Sequence, residues 1–298
     1  MCYNVHENGG IHMENAKMFQ ILKKRELNPQ VSLMEIYAPY VAKKALAGQF
    51  IILRVDDEGE RIPLTIADYD REKQTITIIY QKVGYTTYHL DELQEGDCLH
   101  DFVGPLGKAS EFEGIKKACV IGGGLGVAIA YPQAKALYEL GAEVDFIVGF
   151  RNKDLIILED EFQSACSDLV IMTDDGSNGN KGFVTNALKE KLEAGVMYDA
   201  VIAIGPLRMM QAVANMTKEY NIKTIVSMNS IMIDGTGMCG GCRLTVGGKT
   251  KFACVDGPDF DAHEVDFEEA ISRAEMFKEE ETLSMEKHMC HMIKKGGF

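Results

Sequence analysis

The chain of 298 residues is 46% hydrophobic and 26% charged, which is ordinary for a globular protein with room for two domains and a small third module. Its formal net charge of −14 excludes the extended basic surface that nucleic-acid binding requires, so we expect no nucleic-acid partner. The sequence has no apolar run of about 18 residues and no apolar signal-peptide core. Its eight cysteines therefore favour a reducing cytoplasm and no membrane association.

The first part of the chain is predicted to be a small antiparallel β-barrel. Residues 1–14 are polar and form a predicted N-terminal extension, whereas residues 15–112 contain β-branched, alternating segments separated by turn residues. The predicted elements are strands at 31–38, 50–55 and 74–81 and one short helix at 88–93.

Residues 113–227 change to an alternation of strands and helices. The predicted strands lie at 117–121, 143–149, 169–173, 200–204 and 223–227, and the predicted helices at 127–140, 183–194 and 207–220. Such an alternation predicts a parallel sheet covered by helices on both faces, which is a nucleotide-binding architecture.

A glycine-rich turn joins the first strand of this region to its first helix. Gly122, Gly123, Gly124 and Gly126 stand where a phosphate could approach the backbone and the positive end of the helix. Val127 replaces the third glycine of a dehydrogenase fingerprint, and the second strand lacks the acid that would bind a ribose, so a dehydrogenase is disfavoured. The alternative is a tight turn that holds no ligand.

Two more segments follow strands of the predicted parallel sheet. Asp174 and Asp175 come after the third strand, and Gly205 and Pro206 come after the fourth. Ligands bind at the carboxyl ends of such strands, and two carboxylates there would repel a 2′-phosphate, which favours NAD(H) over NADP(H). The alternative role of these aspartates is to cap helices or form turns.

The segment 228–262 carries a set of candidate metal ligands. Asp234, Cys239, Cys242 and Cys254 follow the spacing D-x4-C-x2-C-x11-C, and glycines separate the first three. With cysteine in place of the aspartate, the beginning of this run has the ligand spacing of plant-type [2Fe–2S] ferredoxins. A zinc ribbon is the alternative, and the fourth ligand could also come from elsewhere in the chain.

The remaining residues, 263–298, form a predicted helical tail. One face of it is apolar, and this face could contact a partner or pack on the chain itself. The residues of this face are Phe267, Ala270, Ile271, Ala274 and Phe277. Further along, Cys290 lies between His288 and His291, which could be a small metal site but is more often an ordinary turn of helix.

The order of these motifs resembles the ferredoxin-reductase superfamily, and within it the flavin and iron–sulfur electron-transfer subunits. The motif from Arg61 to Thr65 at a strand start is followed by the turn 83–87, the segment 104–107, the nucleotide domain and the cluster run. The resemblance implies an antiparallel flavin-binding barrel, a parallel-sheet NAD domain at 113–227 and a small iron–sulfur module.

The resemblance also implies roles for individual residues. Arg61 would bind an FAD phosphate, Thr65 would lie near flavin N5, and Thr86 stands where the family's pyrophosphate turn has a second glycine. The FAD set it implies is Arg61, Pro63, Leu64, Thr65, Tyr80, Val83, Gly84, Thr86 and Thr87. The NAD set is Gly122, Gly123, Gly124, Gly126, Asp174, Asp175, Gly205 and Pro206, and the cluster set is Asp234, Cys239, Cys242 and Cys254.

Two branches of that family fit best. One is the small subunit of NADH-dependent reduced ferredoxin:NADP+ oxidoreductases, which are electron-bifurcating, and the other is the electron-transfer subunit of NAD-dependent dihydroorotate dehydrogenases. The aspartate at position 234 is similar to the first branch, since the second has cysteine there. The first branch implies a larger partner subunit with its own flavin and [4Fe–4S] clusters that uses NADP(H) and ferredoxin. A non-catalytic, zinc-bearing binding module is the alternative from another functional class.

Overall fold

The computed structural model describes residues 16–284, which begin with a six-stranded antiparallel sheet. Its strands are β1 (Ile21–Asn28), β2 (Val31–Tyr37), β3 (Phe50–Arg54), β4 (Ile62–Asp70), β5 (Thr75–Gln81) and β6 (Asp101–Leu106), with the short helices α1 (Pro39–Ala42) and α2 (Tyr85–Glu92). The strand order is β1-β2-β5-β4-β3-β6, and a bridge from Gln20 to Cys98 brings the two edges together. The sheet thus curls into the predicted barrel around a core rich in isoleucine.

The sequence predicts the interior strands of this barrel better than its edges. The structure confirms β2, β3 and β5, whereas β1 and β6 were not predicted. The charged run 23–26 hides the half-buried alternation of β1, and Pro105 lies within β6, where an edge strand tolerates it. Helix α2 begins three residues earlier than predicted, because Gly84 acts as its N-cap.

The second sheet is parallel with one antiparallel edge strand. Its strands are β7 (Lys117–Gly123), β8 (Glu143–Phe150), β9 (Asp168–Thr173), β10 (Ala200–Ile204) and β11 (Thr224–Ser227), covered by α3 (Gly126–Glu139), α4 (Glu159–Ser164), α5 (Val184–Glu193) and α6 (Leu207–Glu219). The order β11-β10-β7-β8-β9 reverses between β7 and β10. Every strand and helix predicted for this region is confirmed, and α4 is an additional helix.

The cluster run lies between two neighbouring strands of this second sheet. It contains a hairpin of β12 (Arg243–Val246) and β13 (Lys249–Phe252) and the short helix α7 (Ala253–Asp256). The chain then returns as β14 (Asp259–Asp261), which pairs antiparallel with β11. The module is therefore fixed to the nucleotide sheet at both of its ends.

The described part of the predicted tail is helical, with helix α8 (Phe267–Ala274) and a second helical stretch at 278–284. Phe267 and Ala270 are buried in a core shared with α6 and β12, whereas Phe277 is 47% exposed. The predicted extension 1–14 and the His288–His291 cluster lie outside the described residues. None of the helices within 16–284 has the length and apolarity needed to cross a membrane.

The barrel, the parallel-sheet domain and the cluster run pack against one another. Phe50 and Ile52 of the barrel lie in one hydrophobic core with Met228 and Met232 and with Cys254 of the cluster run. A second contact is the ion pair between Asp68 of β4 and Lys135 of α3, whose charged atoms are 2.9 Å apart. These contacts hold the barrel beside the carboxyl ends of the parallel strands.

The start of α3 depends on close backbone packing. A Cβ atom on Gly126 would lie 2.4 Å from the carbonyl oxygen of Ile204, where no side chain can give way. A Cβ atom on Gly124 would meet nothing within 4 Å, although this residue has a φ of +58°.

We expect Gly126→Ala to destabilise the chain more than Gly124→Ala. The first forces backbone apart at a cost of about 3 kcal/mol, and the second costs about 1 kcal/mol for a left-handed alanine. Urea unfolding followed by far-UV circular dichroism measures both. Equal losses of unfolding free energy would contradict the steric account.

Candidate functional site

A cleft of about 860 Å³ lies between the barrel and the parallel sheet, at the point where the strand order reverses. Its volume is in the range of cofactor-binding pockets. The cleft brings together residues from both predicted nucleotide sets. Those on its wall are Pro63, Leu64 and Thr65 from the barrel, and Gly123, Gly124, Gly126, Asp174, Gly205 and Pro206 from the sheet.

The four glycines between the end of β7 and the start of α3 have different surroundings. Gly124 is exposed and leaves open space beside its backbone, so a ligand phosphate can approach there. Gly122 is buried, and a Cβ atom on it would lie 2.6 Å from the Cα atom of Val127. Gly122 and Gly126 thus allow α3 to pack against the sheet, while Gly124 faces the cleft.

The two predicted carboxylates are also separated. Asp174 is exposed on the cleft wall. Asp175 is not among the wall residues, and its carboxylate accepts a hydrogen bond from the amide of Ser177 at 2.9 Å. Hydrogen bonds from Ser177 lower the pKa of Asp175. Asp174 is therefore the carboxylate that lines the cleft, and Asp175 closes the turn.

Among the cleft residues that were not predicted from the sequence, three carry a charge or an exposed ring. Arg151 follows β8, Arg208 lies in the first turn of α6, and Phe183 precedes α5 with 64% of its surface exposed. Each stands at the carboxyl end of a parallel strand or at the start of a helix, and this rule of position could have identified them. They bring two positive charges and one exposed ring to the cleft wall.

Arg61 connects the barrel to the cluster run. Its Nε atom donates a hydrogen bond to the carbonyl oxygen of Ile233 at 2.9 Å, and its Nη1 atom lies 3.8 Å from a carboxylate oxygen of Asp101. The structure therefore places this guanidinium next to Asp234 and outside the cleft wall.

The other predicted flavin residues surround the start of α2. The Thr87 hydroxyl accepts hydrogen bonds from the amides of Val83 and Gly84 at 3.0 and 3.1 Å. Thr86 donates to a carboxylate oxygen of Glu60 at 3.2 Å. The structure brings these residues together with each other but not with the cleft wall.

Tyr80 lies in the barrel core. It is fully buried, and its hydroxyl donates to Asp91 at 2.9 Å. Burial and the Asp91 carboxylate raise the pKa of this phenol. Tyr80 is therefore placed among the core side chains and not on the cleft wall.

The candidate cluster ligands are partly assembled. The Cys242 and Cys254 sulfurs are 3.3 Å apart, which is too long for a disulfide bond but close enough for two ligands of one metal centre. Cys239 is exposed on the same loop. Within residues 16–284, no group of three histidine, cysteine or acidic side chains is arranged tightly enough to hold a metal ion.

The chemistry of this pair fits an iron–sulfur cluster. Burial and the adjacent Cys242 thiol raise the pKa of Cys254 to about 12, and a metal cation bound there would compensate the charge of its thiolate. The loop that follows Asp234 also packs closely on the barrel. A Cβ atom on Gly235 would lie only 2.6 Å from Leu106 Cδ1.

Asp234 organises the loop between itself and Cys239. Its carboxylate accepts hydrogen bonds from the amides of Thr236, Met238 and Cys239 at 2.8 to 3.0 Å, and from the Thr236 hydroxyl at 3.2 Å. The hydrogen bonds of Thr236 and Cys239 lower the pKa of Asp234 to about 2. The carboxylate is therefore ionised, as a metal ligand must be.

Known proteins resemble this chain over most of its length. Residues 229–266 match the iron–sulfur cluster binding domain of dihydroorotate dehydrogenase B. A Thermotoga maritima protein, described as a homolog of the electron transfer subunit of dihydroorotate dehydrogenase B (NAD(+)), is 43% identical over 277 residues, or 93% of this chain and 98% of that protein. The electron transfer subunit of that enzyme from Fusobacterium nucleatum is 32% identical over 79% of this chain and 92% of its own.

A solved structure agrees with these likenesses. It describes flavin-based electron bifurcation in the NADH-dependent reduced ferredoxin-NADP oxidoreductase, and it covers 92% of this chain and 99% of its own with 41% identity and a TM-score of 0.87.

These likenesses confirm the predicted fold and the flavoprotein and iron–sulfur character, and they favour the cluster over a zinc site. FAD, a [2Fe–2S] cluster and NAD(H) are the cofactors that accompany this character. The chain belongs to the family of the electron transfer subunits of dihydroorotate dehydrogenase B, which are oxidoreductase subunits with the ferredoxin-reductase fold.

Proposed function

We propose that this chain passes electrons between NAD(H) and a larger subunit of an electron-bifurcating, NADH-dependent ferredoxin:NADP+ oxidoreductase. One observation carries the proposal. The segment 228–232 forms part of the cleft wall and leads directly into the cluster loop, where the Ile233 carbonyl accepts a hydrogen bond from Arg61. The nucleotide cleft and the cluster ligands are therefore adjacent parts of one packed unit, as electron transfer between them requires.

The residues of the cleft bind and orient the cofactors. Thr65 and its neighbours on β4 hold the flavin against the barrel, and Gly124 presents open backbone to a nicotinamide phosphate. Asp174, Arg151 and Phe183 contact the adenosine end of the nucleotide. A flavin bound there would supply hydride exchange with the nicotinamide, and the iron–sulfur cluster would supply single-electron transfer.

The predicted flavin residues outside the cleft wall position the cofactor and the cluster loop. Arg61 holds the loop through the Ile233 carbonyl and remains the proposed phosphate ligand of the flavin. The amides at the start of α2 remain the proposed pyrophosphate site, and the side chain of Glu60 must then move away from that charge.

The partner is proposed to be a larger subunit with a flavin and [4Fe–4S] clusters that uses NADP(H) and ferredoxin. The named likeness to an NADH-dependent reduced ferredoxin-NADP oxidoreductase supports it. The second candidate is the electron-transfer role in dihydroorotate oxidation, favoured by the matching domain model and the names of the Thermotoga and Fusobacterium proteins. Purification from the native host distinguishes the two candidate functions. A chain that purifies with this one and oxidises NADPH with ferredoxin as the electron acceptor supports the first. A chain that oxidises dihydroorotate supports the second.

Anaerobic titration with NADH tests the core of the proposal. We expect the purified chain to show a flavin band and a broad iron–sulfur absorption, and NADH to bleach both. A colourless, folded protein that contains zinc and ignores NADH would instead indicate the binding-module alternative.

Asp174 is expected to set the preference for NADH. Asp174→Asn removes a carboxylate that repels the 2′-phosphate of NADPH, so kcat/KM for NADPH relative to NADH should rise roughly tenfold, or about 1.4 kcal/mol. Steady-state diaphorase assays with both nucleotides measure this ratio. Asp175→Asn is the matched comparison and should leave the ratio as it is, because that carboxylate closes a turn. The assignment fails if both variants behave alike.

Asp234 is proposed as the fourth cluster ligand, beside Cys239, Cys242 and Cys254. We expect Asp234→Cys to lower the midpoint potential of the cluster, since in Rieske centres the replacement of thiolate ligands by harder ones raises it. A redox titration followed by electron paramagnetic resonance measures the shift. An unchanged midpoint in a fully loaded variant would remove Asp234 from the ligand set and leave it the role of ordering the loop.

A further inference from the structure

A small polar cluster joins the three segments of the chain beside the cleft. The carboxylate of Asp259, the first residue of β14, accepts a hydrogen bond from the Ser110 hydroxyl at 2.5 Å and one from Gln133 Nε2 at 3.2 Å. Ser227 is the β11 residue directly opposite Asp259 in the sheet, so its side chain lies on the same face beside the carboxylate. These partners come from the end of the barrel, from α3 and from β11.

The Asp259 carboxyl is in an unusual environment for an acid. The side chains that face it from the three neighbouring elements are Ser110, Gln133 and Ser227, all of them uncharged. Loss of solvent raises the pKa of Asp259 above its ordinary value, against the effect of the polar side chains around it. Gln133 is also fully buried, and its Oε1 atom has no hydrogen-bond partner among residues 16–284.

The polar cluster around Asp259 borders the cleft at Ser227. Ser227 and Pro258 both lie on the cleft wall, whereas Asp259 lies behind it. Phe50 and Pro258 flank Gly107, because a Cβ atom on that glycine would lie 2.8 Å from Phe50 Cε1 and 3.0 Å from Pro258 Cδ. Phe50 is also the β3 partner of Thr65. The polar cluster around Asp259 is therefore at the barrel end of the cleft, where the flavin is proposed to bind.

The proposed reaction releases a proton at this end of the cleft. Hydride transfer from NADH delivers two electrons together with one proton to the flavin, and NAD+ leaves. The two electrons then depart singly through the iron–sulfur cluster to the partner, and the oxidised flavin no longer retains the proton. That proton must pass to a base, and it must come back when electrons flow in the opposite direction.

We propose that Asp259, acting through the Ser227 hydroxyl, accepts this proton when the reduced flavin is oxidised and returns it in the reverse direction. The inference rests on the proposed function. The carboxylate takes the proton from Ser227 as Ser227 takes one from the flavin, so the hydroxyl is unchanged at the end of the transfer. Because Asp259 has no cationic partner among residues 16–284, it is a stronger base than an exposed aspartate.

Separate measurement of the two half-reactions of the holoprotein tests this role. Asp259→Asn keeps the shape of the side chain but cannot take up a proton. In anaerobic stopped flow, reduction by NADH should keep its wild-type rate, because hydride needs no protein base. Oxidation of the reduced protein by ferricyanide, a one-electron acceptor, should become about 100-fold slower, as expected on loss of a general base.

Two serine variants provide the matched control and do not depend on the folding of the Asp259 variant. Ser227→Ala and Ser110→Ala each remove one hydroxyl beside Asp259, but Ser227 lies on the cleft wall and Ser110 is not part of it. We expect Ser227→Ala to slow oxidation by about tenfold or more, and Ser110→Ala, which leaves the path from the cleft to Asp259 in place, to slow it much less. Equal slowing of both variants would indicate a structural role and overturn the relay.

A measurement on the cofactor-free chain gives an independent readout. Carbon-13 NMR titration of the Asp259 carboxyl should give a pKa above that of an exposed aspartate, and an ordinary value would contradict the inference. The outcomes separate the two proposals. If NADH fails to reduce the protein, the proposed function fails. If NADH reduces it and Asp259→Asn is oxidised at the wild-type rate, the proposed function stands and this inference fails.

Discussion

The hydrophobic core shared by the barrel, the parallel sheet and the cluster run is the contact on which the remaining arrangement depends. Phe50 and Ile52 enter it from the barrel, Met228 and Met232 from the connecting segment, and Cys254 from the cluster run. Because buried side chains pack closely, the three parts cannot separate without exposing this surface. The cleft and the cluster ligands therefore keep a fixed separation, which suits a protein that moves electrons between them.

Polar contacts complete this arrangement at its edges. Arg61 holds the backbone next to Asp234, and Asp234 in turn holds the amides of the loop that leads to Cys239. The polar cluster around Asp259 joins the end of the barrel, α3 and β14. The hydrogen bonds of Arg61 and Asp259 cross between segments, so they specify how the parts fit while burial supplies most of the stability.

The sequence predicts the interior of this structure well and its edges poorly. Strands of the parallel sheet are continuous apolar runs, because both faces are covered, and each of them was predicted. Strand β1 exposes one face and carries the charges of Lys23 to Glu26, which conceal its period. At the site, the sequence predicts the glycine loop and the cysteine ligands, because each is a pattern of residues close together in the chain. The separation of Asp174 from Asp175 and the junction at Asp259 depend on contacts across the chain, which no local pattern records.

The return of the chain through β14 has a consequence for the modular history of this architecture. Strands β11 and β14 are antiparallel neighbours, so the ends of the intervening segment are about 5 Å apart. In topological terms, the whole iron–sulfur module is an enlarged hairpin connection. A segment inserted in this way can be gained, lost or exchanged without a change in the strand order of its host. A flavin reductase could therefore acquire a centre for single-electron transfer by the lengthening of one loop.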